Sequence, residues 1–213
     1  MQDHSRALEG ASFRLTTARR HQPIFHEGEP SEAVYRIDVG CVRLQVETAG
    51  GQREVVTFLF PGQIFCAGYD VHWASAYAVT DTSLAVFNLP ALRTHLCQRQ
   101  ESVSDLLRAS DDLLVDLAHH LSLSHARASS RLRWFLRWLA ARSGQESSGL
   151  VLMPMSRRDI ADFLGIAPET VSRTFAALEK RGELHRDASH HSVQLIGGGG
   201  GGRTRVAGHS RLA

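Results

Sequence analysis

The run MSRRDIADFLGIAPETVSRTFAALEKRGEL, residues 155–184, leaves few options for the fold around it. Ile160, Ala161 and Leu164 share one face at helical spacing, and Val171, Phe175 and Leu178 share another. Ser156 followed by Asp159 has the form of a capping box. The hydroxyl can accept an orphan backbone N–H, and the carboxylate sits at the positive end of the helix dipole. A helix is therefore expected from about Arg157. Gly165 suits a left-handed exit from it, and Pro168 suits the first turn of a second helix, where a missing N–H costs nothing. Two short amphipathic helices joined by about three residues make a helix-turn-helix.

With the apolar faces docked, the outward side of the second helix carries Glu169, Thr170, Ser172 and Arg173. Arginine can fork onto the O6 and N7 of guanine, and glutamate can accept from the amino group of cytosine. Serine or threonine can serve either role or touch a thymine methyl. The bland alternative is a solvated polar face. Cap, turn and base-reading residue types coinciding at motif spacing favour DNA reading. Arg157 and Arg158, with Ser156, Thr170 and Lys180, are the expected contacts to the DNA backbone.

The run RRDIADFLGIAPETVSRTFAALEKRGEL closely resembles the helix-turn-helix of the CRP/FNR family of bacterial transcription regulators, and within it the FNR/FixK branch, where E-T-V-S-R is typical. The resemblance implies that Glu169, Ser172 and Arg173 read bases, that the site is a palindrome of the form TTGA, six base pairs, TCAA, and that RNA polymerase is a partner. One departure is Ala167, where the branch usually has a capping Ser or Thr. Its absence should cost on the order of 1 kcal/mol, partly offset because Pro168 fixes its own φ.

Charge is divided in the way this reading requires. The net charge of the 213 residues is only +2, yet residues 1–128 hold 11 Lys+Arg and 15 Asp+Glu, while residues 129–213 hold 13 and 7. A basic C-terminal part behind an acidic N-terminal part fits a DNA-binding module joined to a sensing or dimerising one. No apolar run approaches the ~20 residues needed to span a bilayer, and MQDHSRALEG lacks the apolar stretch of a signal peptide, so a cytoplasmic protein with no membrane partner is expected. Cys41, Cys66 and Cys97 are widely spaced and odd in number, which reads as reduced structural thiols rather than a disulfide framework or a cluster site.

Residues 1–22 are polar and irregular, and read as a leading arm or a short helix. From Pro23 to about Leu89, short apolar or alternating runs (33–39, 42–46, 55–60 and 83–87) are separated by turn signals such as Glu27-Gly28-Glu29-Pro30, Ala49-Gly50-Gly51 and Pro61-Gly62. Short strands at such intervals imply an antiparallel sandwich or barrel. Tyr35, Ile37, Gly40 and Pro61-Gly62 match marks of the family's N-terminal jelly roll, a cupin-like domain. Nucleotide-sensing relatives hold a cyclic phosphate through a Gly-Glu pair and an arginine shortly after the PG-type turn. Here PGQIFCAGYDVHWASAYAV offers neither glutamate nor arginine between Gln63 and Val79, and His72 is the only basic side chain. A neutral imidazole is a poor substitute for a guanidinium fork, so no cyclic nucleotide is expected as ligand.

From Glu101 to about Ala128 the period returns to helix. Leu107, Leu114, Leu121 and Ala128 recur every seven residues, with Val103, Ser110, Leu117 and Ser124 as companions. A coiled-coil seam and a helix lying on its own barrel both fit. The resemblance favours a homodimer helix, with Val103, Leu107, Leu114, Leu117 and Leu121 in the interface. Ser129-Ser130 reads as a hinge. Leu132, Phe135, Leu136 and Leu139 form a further amphipathic helix on which Trp134 and Trp138 share a face, as packing residues. Leu150–Leu152 reads as a strand, and 183–186 with 192–196 as the two strands of a wing. The six glycines 197–202 and the basic tail after them cannot bury enough to order themselves.

The expected architecture is therefore α+β: a β jelly-roll domain (1–100), a dimerisation helix (101–128), a winged helix-turn-helix domain (129–197) and a Gly-rich tail (198–213). No P-loop, G-x-S-x-G, H-E-x-x-H or paired-carboxylate motif is present, so nothing points to an enzyme. His119-His120 and His190-His191 are sequence neighbours and poor chelating pairs. The N-terminal cysteine cluster of iron–sulfur FNR proteins does not appear before Cys41. The resemblance is to FixK-like members without a recognised cofactor, and an effector-gated sensor holding haem, a metal or a small molecule is the alternative.

Overall fold

The computed structural model describes residues 8, 10–68, 70–97, 111, 114–115, 117–144, 149–187 and 191–196. Eight strands open the chain: β1 (Arg14–Ala18), β2 (Pro23–Phe25), β3 (Ala33–Val39), β4 (Val42–Glu47), β5 (Arg53–Leu59), β6 (Ile64–Phe65), β7 (Ser75–Ala78) and β8 (Thr82–Asn88). They form two four-stranded antiparallel sheets, ordered β1-β8-β3-β6 and β2-β7-β4-β5. The jelly-roll expectation holds, with one correction. Residues 14–18 are not irregular; they pair with β8, Arg14 opposite Val86 and Ala18 opposite Thr82. An edge strand held by backbone bonds needs little apolar alternation, and only Ala18 of the five is buried.

Alternation in β8 explains its central place. Leu84 and Val86 enter the roll interior with Ile37, Val42, Leu44 and Phe65, while Ala85 and Phe87 face outward under Leu8, Val34 and Leu92. Leu92 belongs to helix α1 (Leu89–Cys97), which closes that side of the roll. Gly40 turns the chain between β3 and β4 at φ 101°, where a Cβ would meet the carbonyl oxygen of Asp81 at 2.6 Å.

Residues 117–122 are helical, and turns at 123–125 are closed by Leu123 N to His120 O at 3.2 Å and Ser124 N to Leu121 O at 3.0 Å. Helix α2 then runs Ala128–Arg142. Ser129-Ser130 is therefore inside α2 and not a hinge; the chain changes direction just before it. The heptad series likewise cannot extend to Ser124 and Ala128, since the earlier helix has ended by then. Strand β9 (Leu150–Leu152) leads to α3 (Arg157–Leu164) and α4 (Pro168–Lys180), followed by β10 (Leu184–Arg186) and β11 (Ser192–Leu195). The last three strands form a sheet ordered β10-β11-β9. Residues 101–110, the first part of the proposed dimer helix, and the tail from 197 lie outside the described residues.

The two domains share one core. Cys41, Val55, Phe58 and Phe60 of the roll are buried together with Leu132, Phe135, Trp138 and Phe163 of the C-terminal part. The β4–β5 pair is consequently covered on both faces, with its own roll on one side and α2 and α3 on the other.

Candidate nucleic-acid interface

The start of α3 is built as the sequence predicts. Ser156 Oγ accepts from Asp159 N at 3.1 Å, and Asp159 Oδ2 accepts from Ser156 N at 3.0 Å and from the Ser156 hydroxyl at 2.7 Å. Both orphan donors are satisfied, as a capping box requires. Gly165 closes the helix at φ 60°, ψ 42°. Arg131 of α2 clasps this exit, donating through Nη1 to Leu164 O at 2.7 Å and through Nε to Ala126 O at 3.1 Å. The turn of the motif and the change of direction before α2 are thereby tied to one side chain.

Pro168 stands at the start of α4, and Ala167 supplies no side-chain cap. Val171, Phe175 and Leu178 are at most 1% exposed and pack with Ile160, Ala161 and Leu164. On the opposite side Glu169, Ser172 and Arg173 are exposed together, Thr170 is half-buried, and Lys180 is exposed at the C-terminal end. The Ser172 hydroxyl donates back to Pro168 O at 3.2 Å, and Thr174 to Thr170 O at 2.6 Å, so Ser172 must turn outward to meet a base.

Two ion pairs fix the motif to its wing and to α2. Glu179 accepts from Arg186 Nε at 2.8 Å and from Arg186 N at 3.2 Å, which joins the last turn of α4 to β10. Glu183 takes Arg133 as a fork, at 2.6 and 2.8 Å. These arginine bonds hold both carboxyls below their ordinary range.

Arg157 departs from expectation. Its guanidinium carbon lies 3.7 Å from the centroid of Phe175, Nη1 approaches Met153 Sδ at 3.8 Å, and Nη2 is buried without a hydrogen-bond partner. Burial, with Arg186 nearby, pushes its pKa down to about 10. The side chain is folded onto the core and not offered to a phosphate, whereas Arg158 is exposed and Ser156 lies at the open end of α3. Arg157 shares a face with Ala161 and Leu164, four and seven residues on, and that face is the buried one.

Residues 130–196 match the family model for the Crp-like helix-turn-helix domain, and residues 15–99 match the cyclic nucleotide-binding domain. The nitrogen fixation regulation protein FixK of Rhizobium meliloti is 31% identical over 175 residues, which span 78% of this chain and 76% of that protein. The chain belongs to the CRP/FNR family, in its FixK-like branch. FixK of Azorhizobium caulinodans is 33% identical over 80% of this chain and 71% of its own. The solved structure of FixK2 from Bradyrhizobium japonicum superposes with a TM-score of 0.80 at 28% identity, covering 87% of this chain and 93% of that one. This CRP/FNR member is thus a DNA-binding transcription regulator, and its relatives are regulators, not enzymes.

Elsewhere in this FixK-like chain, the loop between β6 and β7 carries His72. It is 3% exposed, stacked on Phe25 at 3.7 Å, with Nδ1 lacking a partner. Burial holds its pKa below the ordinary imidazole value. His120 packs against Phe163 at 4.6 Å and Trp134 at 5.6 Å, and burial with Arg131 nearby lowers its pKa too. Trp134 and Trp138 stack at 6.1 Å, and Trp138 meets Phe60 of the roll edge-on, the packing role expected of them. Only Cys41 is a core thiol, pushed up by burial and by Asp159; Cys66 and Cys97 are exposed, against the expectation of three structural cysteines. Among the described residues no cluster of three His, Cys, Asp or Glu could hold a metal, and no helix is long and apolar enough to cross a membrane.

Leu114, Leu117 and Leu121 fall on helical residues and are 62%, 40% and 61% exposed in the single chain. Val103 and Leu107 lie outside the described residues.

Proposed function

We propose that the chain binds DNA as a homodimer, reads a TTGA-N6-TCAA-like palindrome through α4, and does so without a cofactor. The observation that carries this reading is the side-by-side exposure of Glu169, Ser172 and Arg173 on a helix whose other face is fully buried. Arg173 takes the guanine of TTGA, Glu169 accepts from a neighbouring amino group, and Ser172 meets the thymine edge. Arg158, Thr170 and Lys180 hold the phosphates; Arg157 is removed from that set because its side chain is folded onto Phe175, and Ser156 because its N–H and its hydroxyl both donate to Asp159. The exposed stripe Leu114, Leu117 and Leu121, at spacings of three and four, supports pairing of two copies. We divide the chain into a roll to residue 100, a dimerisation segment from 101 whose described residues are helical up to 122, and a DNA-binding domain from Ala128. RNA polymerase is the further partner that the family implies. Fluorescence anisotropy on TTGA-N6-TCAA against the same duplex with TTAA half-sites tests the reading. Discrimination of about tenfold or more per altered base pair is expected, and equal affinity for both duplexes rejects it.

One observation favours a second reading, an effector-gated regulator. A largely apolar cavity of about 440 Å³ is lined by Leu44, Phe65 and Trp73 of the roll, by Leu114 and Leu117 of the proposed dimer stripe, and by Trp134 and Phe163 of the DNA-binding part. A ligand there would touch both domains. A Soret or iron–sulfur band in the purified protein supports this second reading, and a spectrum with only the 280 nm band supports the first.

A further inference from the structure

The helix-turn-helix is gripped by the roll through a four-residue ion cluster. While Asp159 Oδ2 closes the capping box, Asp159 Oδ1 accepts from Arg43 Nη1 at 3.0 Å and pairs with Arg53 Nη2 at 2.9 Å. Arg53 also donates through Nε to Asp162 Oδ2 at 2.7 Å, and its Nη2 bonds the same oxygen. Arg43 is held in turn by Gln45 Oε1 at 2.8 Å and lies over the ring of Tyr77. Asp159 is 3% and Arg43 8% exposed, so that pair is held largely out of water, while Arg53 and Asp162 are half-buried at its edge. Phe58 of β5 and Phe163 of α3 add an aromatic contact between the same two elements, with ring centroids 5.5 Å apart.

A defect in the strand ladder makes this possible. Leu44 pairs with Thr57 and Gln45 with Val55, so Val56 is an extra residue in β5. Such a bulge reverses the alternation beyond it. Arg53 and Val55 face the DNA-binding part before the bulge, and Phe58 faces it after, while Glu54 is exposed. Without the extra residue Glu54 would meet Asp162, and the contact would be repulsive.

We propose that Arg43 and Arg53 are positioning residues for DNA recognition: they grip Asp159 and Asp162, fix α3 to the roll, and so set the angle at which α4 meets the major groove. The grip is suited to orientation more than to bulk stability, because an arginine fork is directional and a buried ion pair gains little over an apolar replacement. The recognition face moves with α3 because the two helices share a core. Two copies must present their faces about one helical turn apart, so a change of angle changes the half-site spacing that fits. Both arginines sit over 100 positions from their partners and stand on strands of the roll, not on α4. The spacing consequence rests on the dimeric reading above.

Arg53→Ala in the 213-residue chain carries the test, since Arg43 also bonds Gln45 on its own strand and lies over Tyr77. Anisotropy on palindromes with five, six and seven base-pair spacers, and on a single half-site, is combined with hydrogen exchange of the peptide 153–166. Expected for Arg53→Ala are wild-type half-site affinity, a ratio between best and second-best spacers reduced about five- to tenfold, and faster exchange at the start of α3. Arg53→Lys should fall between the two. A variant with unchanged spacer ratio and unchanged exchange overturns the proposal, and so does one whose half-site and palindrome affinities fall together at a constant ratio. If the wild-type protein itself shows no spacer preference, the palindrome reading has failed, and exchange decides the grip: acceleration upholds it, and wild-type exchange rejects it.

Discussion

The guanidinium carbon of Arg157 stands 3.7 Å from the centre of the Phe175 ring, between the two helices of the DNA-binding motif. A cation in that place is attracted by the ring, yet it has given up water, and one of its nitrogens has no acceptor. Replacing it by an apolar chain of similar length should keep the packing and remove the desolvation cost. Arg157→Met is expected to melt at the same temperature or higher and to leave the salt dependence of DNA binding unchanged. Arg158→Ala should instead weaken binding on all sequences and lower the slope of log K against log salt by about one. Titrations from 50 to 300 mM salt distinguish the two; a reduced slope in Arg157→Met would place that residue back on a phosphate.

Asp159 gives the chain a predictable acid response. Burial alone would raise its carboxyl, but bonds from Ser156 and the charges of Arg43 and Arg53 outweigh it and hold the pKa below the ordinary 3.8. A depressed carboxylate contributes stability that is complete above its unfolded value and is lost as pH falls through the folded value. Asp159→Asn should therefore cost about 3–5 kcal/mol at pH 7, the size of breaking one partner out of a buried pair. That deficit should shrink below about pH 4. Urea unfolding of both proteins from pH 3 to 7 measures it, and a constant difference across that range contradicts the ion cluster.

Cap, turn and the buried faces of α3 and α4 were legible because each follows from residues fewer than eight positions apart. Arg157 was legible by the same rule, since it stands four before Ala161, but a charge on an apolar face was read by its type and not by its position. What escaped depended on distant partners. Nothing local marks Arg14–Ala18 as a strand, because its order comes from pairing with β8. The bulge at Val56 leaves no glycine or proline in the sequence, and it decides that Arg53 and not Glu54 meets Asp162. The turn ahead of α2 was displaced to Ser129-Ser130 because serines look like a break, while the bonds that end the helix are made by ordinary backbone groups of His120 and Leu121.

The stripe Leu114, Leu117 and Leu121 yields a prediction on assembly. A carboxylate placed there would be buried unpaired if two copies meet along it. Leu117→Glu should convert dimers to monomers in light scattering and lower palindrome affinity, because a monomer contacts one half-site. A variant that remains dimeric would show that the stripe covers something else.

Cyclic AMP and cyclic GMP should neither bind at physiological concentration nor change DNA affinity. The segment from Gln63 to Val79 carries no guanidinium, and its one basic side chain, His72, is stacked on Phe25 inside the roll. Calorimetry returning a micromolar dissociation constant for either nucleotide would reverse this.

Arg173 bears the most specific expectation. It is exposed on α4 one residue from Ser172 and one turn from Glu169, where a fork can reach both acceptors of a guanine. Arg173→Ala should cost about 1–3 kcal/mol on a TTGA palindrome and much less on TTAA, so the protein loses discrimination at that base as well as affinity. Lysine is a poor substitute, because a point charge cannot span O6 and N7 as a fork does; Arg173→Lys should recover affinity for phosphates without recovering the preference. Fold is not at stake in either variant, since the side chain is exposed and the buried face of α4 is made by Val171, Phe175 and Leu178, and unchanged melting temperatures would confirm that the loss is one of reading. An Arg173→Ala protein that still separates TTGA from TTAA as the parent does would assign the guanine to another residue, and Glu169 and Ser172 would then have to be tested in the same series.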